Sequence, residues 1–432
     1  MNVLVLGSGG REHALTAAVA RSPRVEHVYC APGNAGTGTL ATNVSLDLRD
    51  LDSVVAFART MAIDLTVVGP EGPLEAGIVD RFHAAGLRIL GPTAAAARLE
   101  TSKAWAKVFM QRYDIPTAPF AIAESPAIGQ QLVRAMWRES GLVVKADGLA
   151  AGKGVVVAET REQALKAIEL LMDRQTSGAA GNLLVIEERL TGPEISLIIA
   201  VDGQGWQAFP TAQDHKLLHD GDLGPNTGGM GAFAPVAMIS SHGMRAIETT
   251  ILAPLMAGLQ AEELDYRGFL FLGLMMTPTG PQVLEFNCRL GDPEAQVLLP
   301  GLETDFVELA GAILSGTLSD LPLVSDGLFR LGVVATAKGY PGPTPGHQLI
   351  TGLAHLAHEP GITVFHGGTD RDAVGGVVTR GGRVLTVVGE GRTLDDAQRL
   401  AYAAVESLRF DGEMPHFRRD IGRRALLVDK RS

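Results

Sequence analysis

Short, unbroken aliphatic runs alternate with helical patterns over the first hundred residues: Val3–Leu6, Val25–Cys30, Leu65–Val68 and Leu87–Leu90. Runs without polar alternation predict strands buried on both faces, and their spacing by helices predicts a parallel sheet. Each run empties into a turn rich in Gly or Pro: Gly7-Ser8-Gly9-Gly10, Pro32-Gly33-Asn34, Gly69-Pro70-Glu71 and Gly91-Pro92-Thr93. These turns fall at the carboxyl ends of the strands, where such sheets bind ligands.

Beyond residue 100 the pattern changes. Ser102 caps a predicted helix that stops before Pro116. From Leu142 to Ala158 two β-type runs flank a Gly-rich segment, a hairpin with a mobile loop in a small lid of about 114–187. Strand-like runs at Ser196–Val201, Phe269–Met276 and Gln282–Phe286, with a helical stretch around 243–263, build the larger half of a central domain. Gly332–Thr336, Ile362–Phe365 and Arg383–Val388 read as strands. Leu394, Ala397, Ala401, Val405 and Leu408 recur at helical spacing behind a Thr393-x-x-Asp396 capping box. The expected domains are 1–101, 102–325 and 326–432, the last a compact α+β unit, matching 432 residues at about 150 per domain.

Composition narrows the function classes. A formal net charge of −11 disfavours nucleic acid and anionic membranes as partners. Cys30 and Cys288 are too few for a disulfide framework, and no apolar stretch reaches the ~18 residues of a span, so a reducing, cytoplasmic setting is expected.

The chemistry-bearing residues cluster. Gly7–Gly10 precedes a helix and offers backbone N–H groups to an anion. As a dinucleotide fingerprint it fails, since Glu12 stands where the third Gly belongs and Cys30-Ala31 where an acid should end the second strand. Lys145 and Lys153 flank the Gly-rich hairpin segment, Lys145 fixed in a strand and Lys153 free to swing with the loop, both suited to phosphate. Glu187-Glu188 and Glu194 mark a strand-to-hinge passage, with backbone for an adenine edge and a carboxylate for ribose hydroxyls. Glu285 and Asn287, two apart in a strand, turn two hard oxygens to one face, as Mg²⁺ or Mn²⁺ takes beside nucleotide phosphates.

Together these segments resemble the glycinamide ribonucleotide synthetase family, from Met1 to about Gly422. The likeness rests on Gly9-Gly10-Arg11-Glu12-His13, Ala31 through Gly36, Val68-Gly69-Pro70-Glu71, Lys145 through Gly154, Asn226 through Gly231 and, most specific, Arg289 through Gln296 below Glu285-Phe286-Asn287-Cys288. It implies an α/β multidomain protein with a Rossmann-like N-terminal domain for phosphoribosylamine, a central ATP-grasp domain with its lid and a C-terminal α+β domain closing the site. It implies that Lys103, Lys145, Lys153, Glu187 and Glu194 contact ATP, that Leu190 offers backbone to adenine, and that Glu285 and Asn287 ligate the metal. Gly9, Gly10, Gly33, Asn34 and Glu71 fall to substrate. Lys145, Arg289, Asp214 and Asp292 are the catalytic candidates, with Asp214 and Asp292 alternatives for glycine's ammonium. Many ATP-grasp enzymes carry a further acidic metal ligand about a dozen residues earlier. Here Gly273 stands there, which leaves Asp214 as a substitute.

The reaction implied is ATP-dependent ligation of glycine to phosphoribosylamine through glycyl phosphate, in purine biosynthesis, with hand-over of product to the next enzyme of that pathway as the expected partnership. A carboxylate is a poor electrophile until phosphorylated, and no nucleophilic Ser or Cys constellation is present. A nicotinamide-dependent oxidoreductase would use only Gly7–Gly10 and leave the central motifs unexplained.

Overall fold

A computed structural model describes residues 1–149, 154–173, 182–237 and 239–429. Strands β1 (Asn2–Gly7), β2 (His27–Pro32), β3 (Thr42–Asn43), β4 (Leu65–Val68) and β5 (Ile89–Leu90) form a sheet of order β3-β2-β1-β4-β5. Every pair is parallel. Alternate residues of β1 enter different cores, Leu4 and Leu6 on one face and Val3 and Val5 on the other, which is why the run shows no polar alternation. β1 has β2 on one side and β4 on the other, so Gly7–Gly10 lies where the strand order reverses. Helix α1 (Gly10–Ala20) starts there. Two expected runs begin too early: the Val25 amide closes a turn onto Ser22, and the Leu87 amide bonds back to Phe82 at a helix end.

The lid is a sheet of β6 (Phe120–Ala123), β7 (Leu142–Ala146), β8 (Val155–Ala158) and β9 (Leu184–Glu188), of order β6-β9-β7-β8 and antiparallel throughout. Helices Pro126–Met136 and Arg161–Met172 cover one face. The period of two sends Leu142, Val144 and Ala146 into that core and leaves Val143 and Lys145 on the other face, over the cleft. Lys153 and Gly152 lie outside the described residues.

The central sheet joins β10 (Glu194–Asp202), β11 (Trp206–Ala208), β16 (Arg267–Thr277) and β17 (Gly280–Asn287) in the order β11-β10-β16-β17, where β12 (Gln213–Asp214), β13 (Leu217–His219), β14 (Leu223–Asn226) and β15 (Gly231–Ala234) intervene along the chain. Ser102 accepts the Trp105 amide and caps helix Lys103–Arg112, as its sequence predicts. The helical stretch near 243–263 is two helices, Ser241–Ile247 and Ala253–Ala261, joined by a π-turn at Glu248–Leu252. Pro254, having no N–H, cannot continue the regular ladder.

A second five-stranded sheet crosses the expected boundary near 325. β12 pairs with β15, and β15 with Phe329–Thr336, which continues to Arg383–Gly391 and Ile362–His366. Helix Leu394–Val405, capped by Thr393, packs on it. Strands β12 and β15 of the central region are thereby built into the C-terminal sheet, a pairing with no local signal in the sequence.

Candidate functional site

Two concavities meet between these sheets. The smaller, about 360 Å³, lies at the carboxyl end of β1 and is lined by Ser8, Gly9, Gly10, Gly33, Asn34 and Asp292, and by Gly367–Thr369, Arg380 and Arg383 from the C-terminal part of the chain. Glu12 explains the altered fingerprint: its carboxylate accepts the Gly9 N–H at 2.5 Å and pairs with Arg11 at 2.6 Å. A Cβ on Gly69 would lie 2.2 Å from that carboxylate, so the glycine makes room for the acid that holds the turn. Asn34 donates to the carbonyls of Ser8 and His366, and its own oxygen receives the amides of Gly36 and Thr37. The two Gly-rich loops are thus tied to each other and to the C-terminal sheet.

The larger cleft, about 1720 Å³, collects the nucleotide candidates Lys103, Lys145, Glu187, Leu190 and Glu194, the pair Glu285 and Asn287, and Glu71, Asp214, Arg289 and Asp292. Lys145 Nζ lies 2.6 Å from Glu187 Oε1 and donates to the Leu284 carbonyl at 3.0 Å. Lys107 pairs with the other oxygen of Glu187. The Glu187 side chain is therefore turned to lysines rather than outward to a ribose. Lys103 Nζ donates to Gly148 O at 2.7 Å, while Asp147 receives the Ser102 hydroxyl and the Ala104 amide, joining the glycine loop to a helix N-terminus.

On β17, Glu285 and Asn287 share a face, opposite β16, where Gly273 is the register partner of Glu285. A Cβ at 273 would meet Glu285 Cγ at 3.2 Å, so the glycine accommodates that carboxylate. Burial opposes ionisation of Glu285, but Lys216, Lys145, Lys103 and Arg289 outweigh it and hold the acid at about 2. Asn287 Oδ1 accepts from Arg289 at 3.0 Å, leaving a second lone pair. Two hard oxygens, one firmly anionic, suit a divalent cation whose other ligands are phosphates and water. Among the described residues no group of three or more His, Cys, Asp or Glu side chains is placed to hold a metal.

Arg289 is clamped by Glu100 at 2.9 Å and Glu71 at 3.4 Å. The two acid candidates for ammonium differ. Asp292 is already satisfied: Arg383 lies 3.1 Å away, Gln296 donates to it at 2.7 Å, and against burial these neighbours keep it ionised. Asp214 accepts the His215 amide at 2.6 Å; burial first, then Glu294, push its pKa well up. Glu294, raised by burial, accepts from Ser196 at 2.8 Å. At Asp214, burial and Glu294 outweigh Lys216 and Arg383, so this acid is raised where Asp292 is lowered.

Arg380, Arg383, Lys107 and Glu294 were not assigned roles from sequence. The first two flank Gly381-Gly382 in a turn, a weak cue for an anion loop, and Lys107 stands four residues from Lys103 on one helix face.

A parallel-sheet domain, a central sheet with an E-x-N strand and an antiparallel lid sheet that carries Lys145 over the cleft define an ATP-grasp enzyme. Models of the phosphoribosylglycinamide synthetase N domain, ATP-grasp (A) domain and C domain match residues 1–100, 101–295 and 330–424. The chain belongs to the phosphoribosylglycinamide synthetase family. It is 46% identical to the phosphoribosylamine–glycine ligase of Rhodopirellula baltica over 99% of this chain and 98% of that one. It is also 46% identical to the trifunctional purine biosynthetic protein adenosine-3 of Gallus gallus, over 98% of this chain and 42% of that protein. The crystal structure of the Thermotoga maritima phosphoribosylamine–glycine ligase matches with a TM-score of 0.85 and 36% identity, covering 98% of this chain and all of that one. Among the described residues no helix is long and apolar enough to cross a membrane.

Proposed function

We propose that the cleft ligates glycine to phosphoribosylamine at the expense of ATP, through glycyl phosphate, as a step of purine biosynthesis. The observation that carries this is the junction of the two concavities. Asp292 and Arg383 line both, so a phosphorylated ligand at the Gly-rich loops and a nucleotide under the lid meet across one ion pair.

Residues 1–101 present Gly9, Gly10, Gly33 and Asn34 to the ribosyl phosphate, and 326–432 add Arg380 and Arg383. Residues 102–325 take the nucleotide: backbone at Leu190 for adenine, Glu194 for the ribose, and Lys103, Lys145 and Lys153 for phosphates, with Glu187 acting through Lys145. Glu285 and Asn287 would hold Mg²⁺ or Mn²⁺, which supplies charge neutralisation at the phosphates when bound. Glycine's ammonium sits between Asp214 and Glu294, where a cation restores both acids to their ionised form, in preference to the satisfied Asp292. Its carboxylate is then directed towards Arg289, which Glu71 and Glu100 orient.

The carboxylate oxygen attacks the γ-phosphorus and ADP leaves. The amine nitrogen of phosphoribosylamine then attacks the carbonyl carbon, gives up a proton, and phosphate departs with the glycine oxygen. Positioning and charge neutralisation supply the catalysis, and the lid excludes the water that would hydrolyse the acyl phosphate. Two buried free thiols, Cys30 and Cys288, accord with a reducing cytoplasm, and product would pass to the next purine enzyme.

The test is turnover with glycine labelled at both carboxylate oxygens, followed by mass spectrometry of phosphate and nucleotides. Label in phosphate with ADP as co-product is expected; AMP formation or unlabelled phosphate would overturn the glycyl phosphate route.

A further inference from the structure

Glu187 is buried with one ammonium on each oxygen, Lys145 on Oε1 and Lys107 on Oε2. The two lysines are not equivalent. Lys145 projects from β7, bonds one carbonyl and faces the cleft beside Lys103 and Glu285. Lys107 comes from the helix behind: besides Glu187 it donates to Thr117 Oγ1 at 2.6 Å and lies 5.7 Å from the centre of the Phe120 ring. Thr117 in turn donates to the Val283 carbonyl at 2.7 Å, so the ammonium is anchored to the base of β17. The carboxylate and the hydroxyl take two of the three N–H groups of Lys107, which like Lys145 lines the cleft.

Charge counting gives its purpose. Lys145, Lys107 and Glu187 together carry one net positive charge. Without Lys107, Glu187 and Lys145 form a neutral pair, and a phosphate must compete with a buried carboxylate for the same ammonium. We propose that Lys107 is a positioning residue of the nucleotide site: as the second counter-ion of Glu187 it leaves the charge of Lys145 available to the ATP phosphates. Burial pulls Lys107 down to about 8, with Glu187 opposing and Lys145 adding to the fall; these are the charged groups that face it. The triad therefore stays positive at neutral pH and loses its surplus charge in mild alkali. The inference rests on the ATP site proposed above.

The experiment is calorimetric titration of MgADP into the full chain and its variants at pH 7 and pH 9. Lys107→Met removes the surplus charge and is expected to weaken MgADP by about tenfold or more, the scale of one charge-assisted contact. Lys107→Met/Glu187→Gln leaves Lys145 alone, again one positive charge, and is expected to bind within about threefold of the wild type at pH 7. A role in packing alone predicts the opposite order, because the double variant loses more native contacts. Between pH 7 and pH 9 the wild type should weaken and the double variant should change less. A single variant within twofold of wild type, or a double variant tenfold weaker than wild type, overturns the proposal. Should Lys107→Met not fold, the double variant and the pH comparison decide alone. Wild-type protein that does not bind MgADP would instead refute the nucleotide site and the inference with it.

Discussion

Replacing Arg383 with methionine should divide two functions that one guanidinium performs. Arg383 pairs with Asp292 at 3.1 Å and donates to the carbonyls of Asp292, at 2.6 Å, and Gly228, fastening the C-terminal sheet to two loops of the central domain. It also lines the pocket proposed for the ribosyl phosphate. Stranding one member of a fully buried pair costs about 3–5 kcal/mol. The Arg383 and Asp292 side chains are 25% and 18% exposed, so water screens part of that and a loss of ~2 kcal/mol is expected. On the substrate side, a charge-assisted hydrogen bond to phosphate contributes about 1.5–3 kcal/mol, a rise in KM for phosphoribosylamine of roughly 10- to 150-fold. The assay is ADP release with each substrate varied in turn, beside a urea midpoint. Adding Asp292→Asn removes the stranded charge and should recover most of the stability but none of the lost affinity. A folded Arg383→Met protein with unchanged KM for phosphoribosylamine would refute the phosphate role. An equal rise in KM for glycine, ATP and phosphoribosylamine would show that only the clasp matters.

Glu285→Gln should keep the fold and lower activity by about 10²-fold or more, the scale of losing one electrostatic contact to the reacting groups; near-normal rates at saturating Mg²⁺ would remove Glu285 from the metal site. Because its folded pKa is depressed to about 2, Glu285 adds stability that is complete above its ordinary 4.5 and is lost as pH falls towards 2, so acid unfolding of the glutamine variant should lack that component. His13 adds a pH sensitivity of the same sign, from a base held neutral by burial. It is buried against Phe365 and His366, accepts the His366 amide at 2.9 Å, and burial followed by the His366 charge brings it down to about 3. The unfolded chain therefore takes up this proton first, and stability falls as pH drops from 6.5 towards 3. His13→Gln should flatten that slope in urea midpoints at pH 7.5, 5.5 and 4.5, and parallel slopes would refute it.

What the sequence determined by itself was whatever depends on near neighbours. Strands β1 and β4 are legible because a parallel strand buried on both faces is an apolar run, and the Lys103–Arg112 helix because Ser102 caps its first turn. The shared face of Glu285 and Asn287 follows from the strand period of two. The loop at Gly9–Gly10 was legible as a turn, and the failed dinucleotide fingerprint had a local cause, Glu12, which takes the Gly9 N–H. Tertiary structure decided the rest, since contacts between residues far apart leave no periodic trace. Nothing near β12 or β15 says that they complete a sheet with residues a hundred positions later. That arrangement sets Arg380 and Arg383 beside the Gly-rich loops and so builds the smaller pocket from both ends of the chain. The difference between Asp214 and Asp292 likewise came from folding: Arg383 pairs with Asp292, while burial and Glu294 outweigh the cations near Asp214. The partnership of Lys107 with Glu187 has the same origin, because a lysine on a helix reads as solvated until the element packed over it is known.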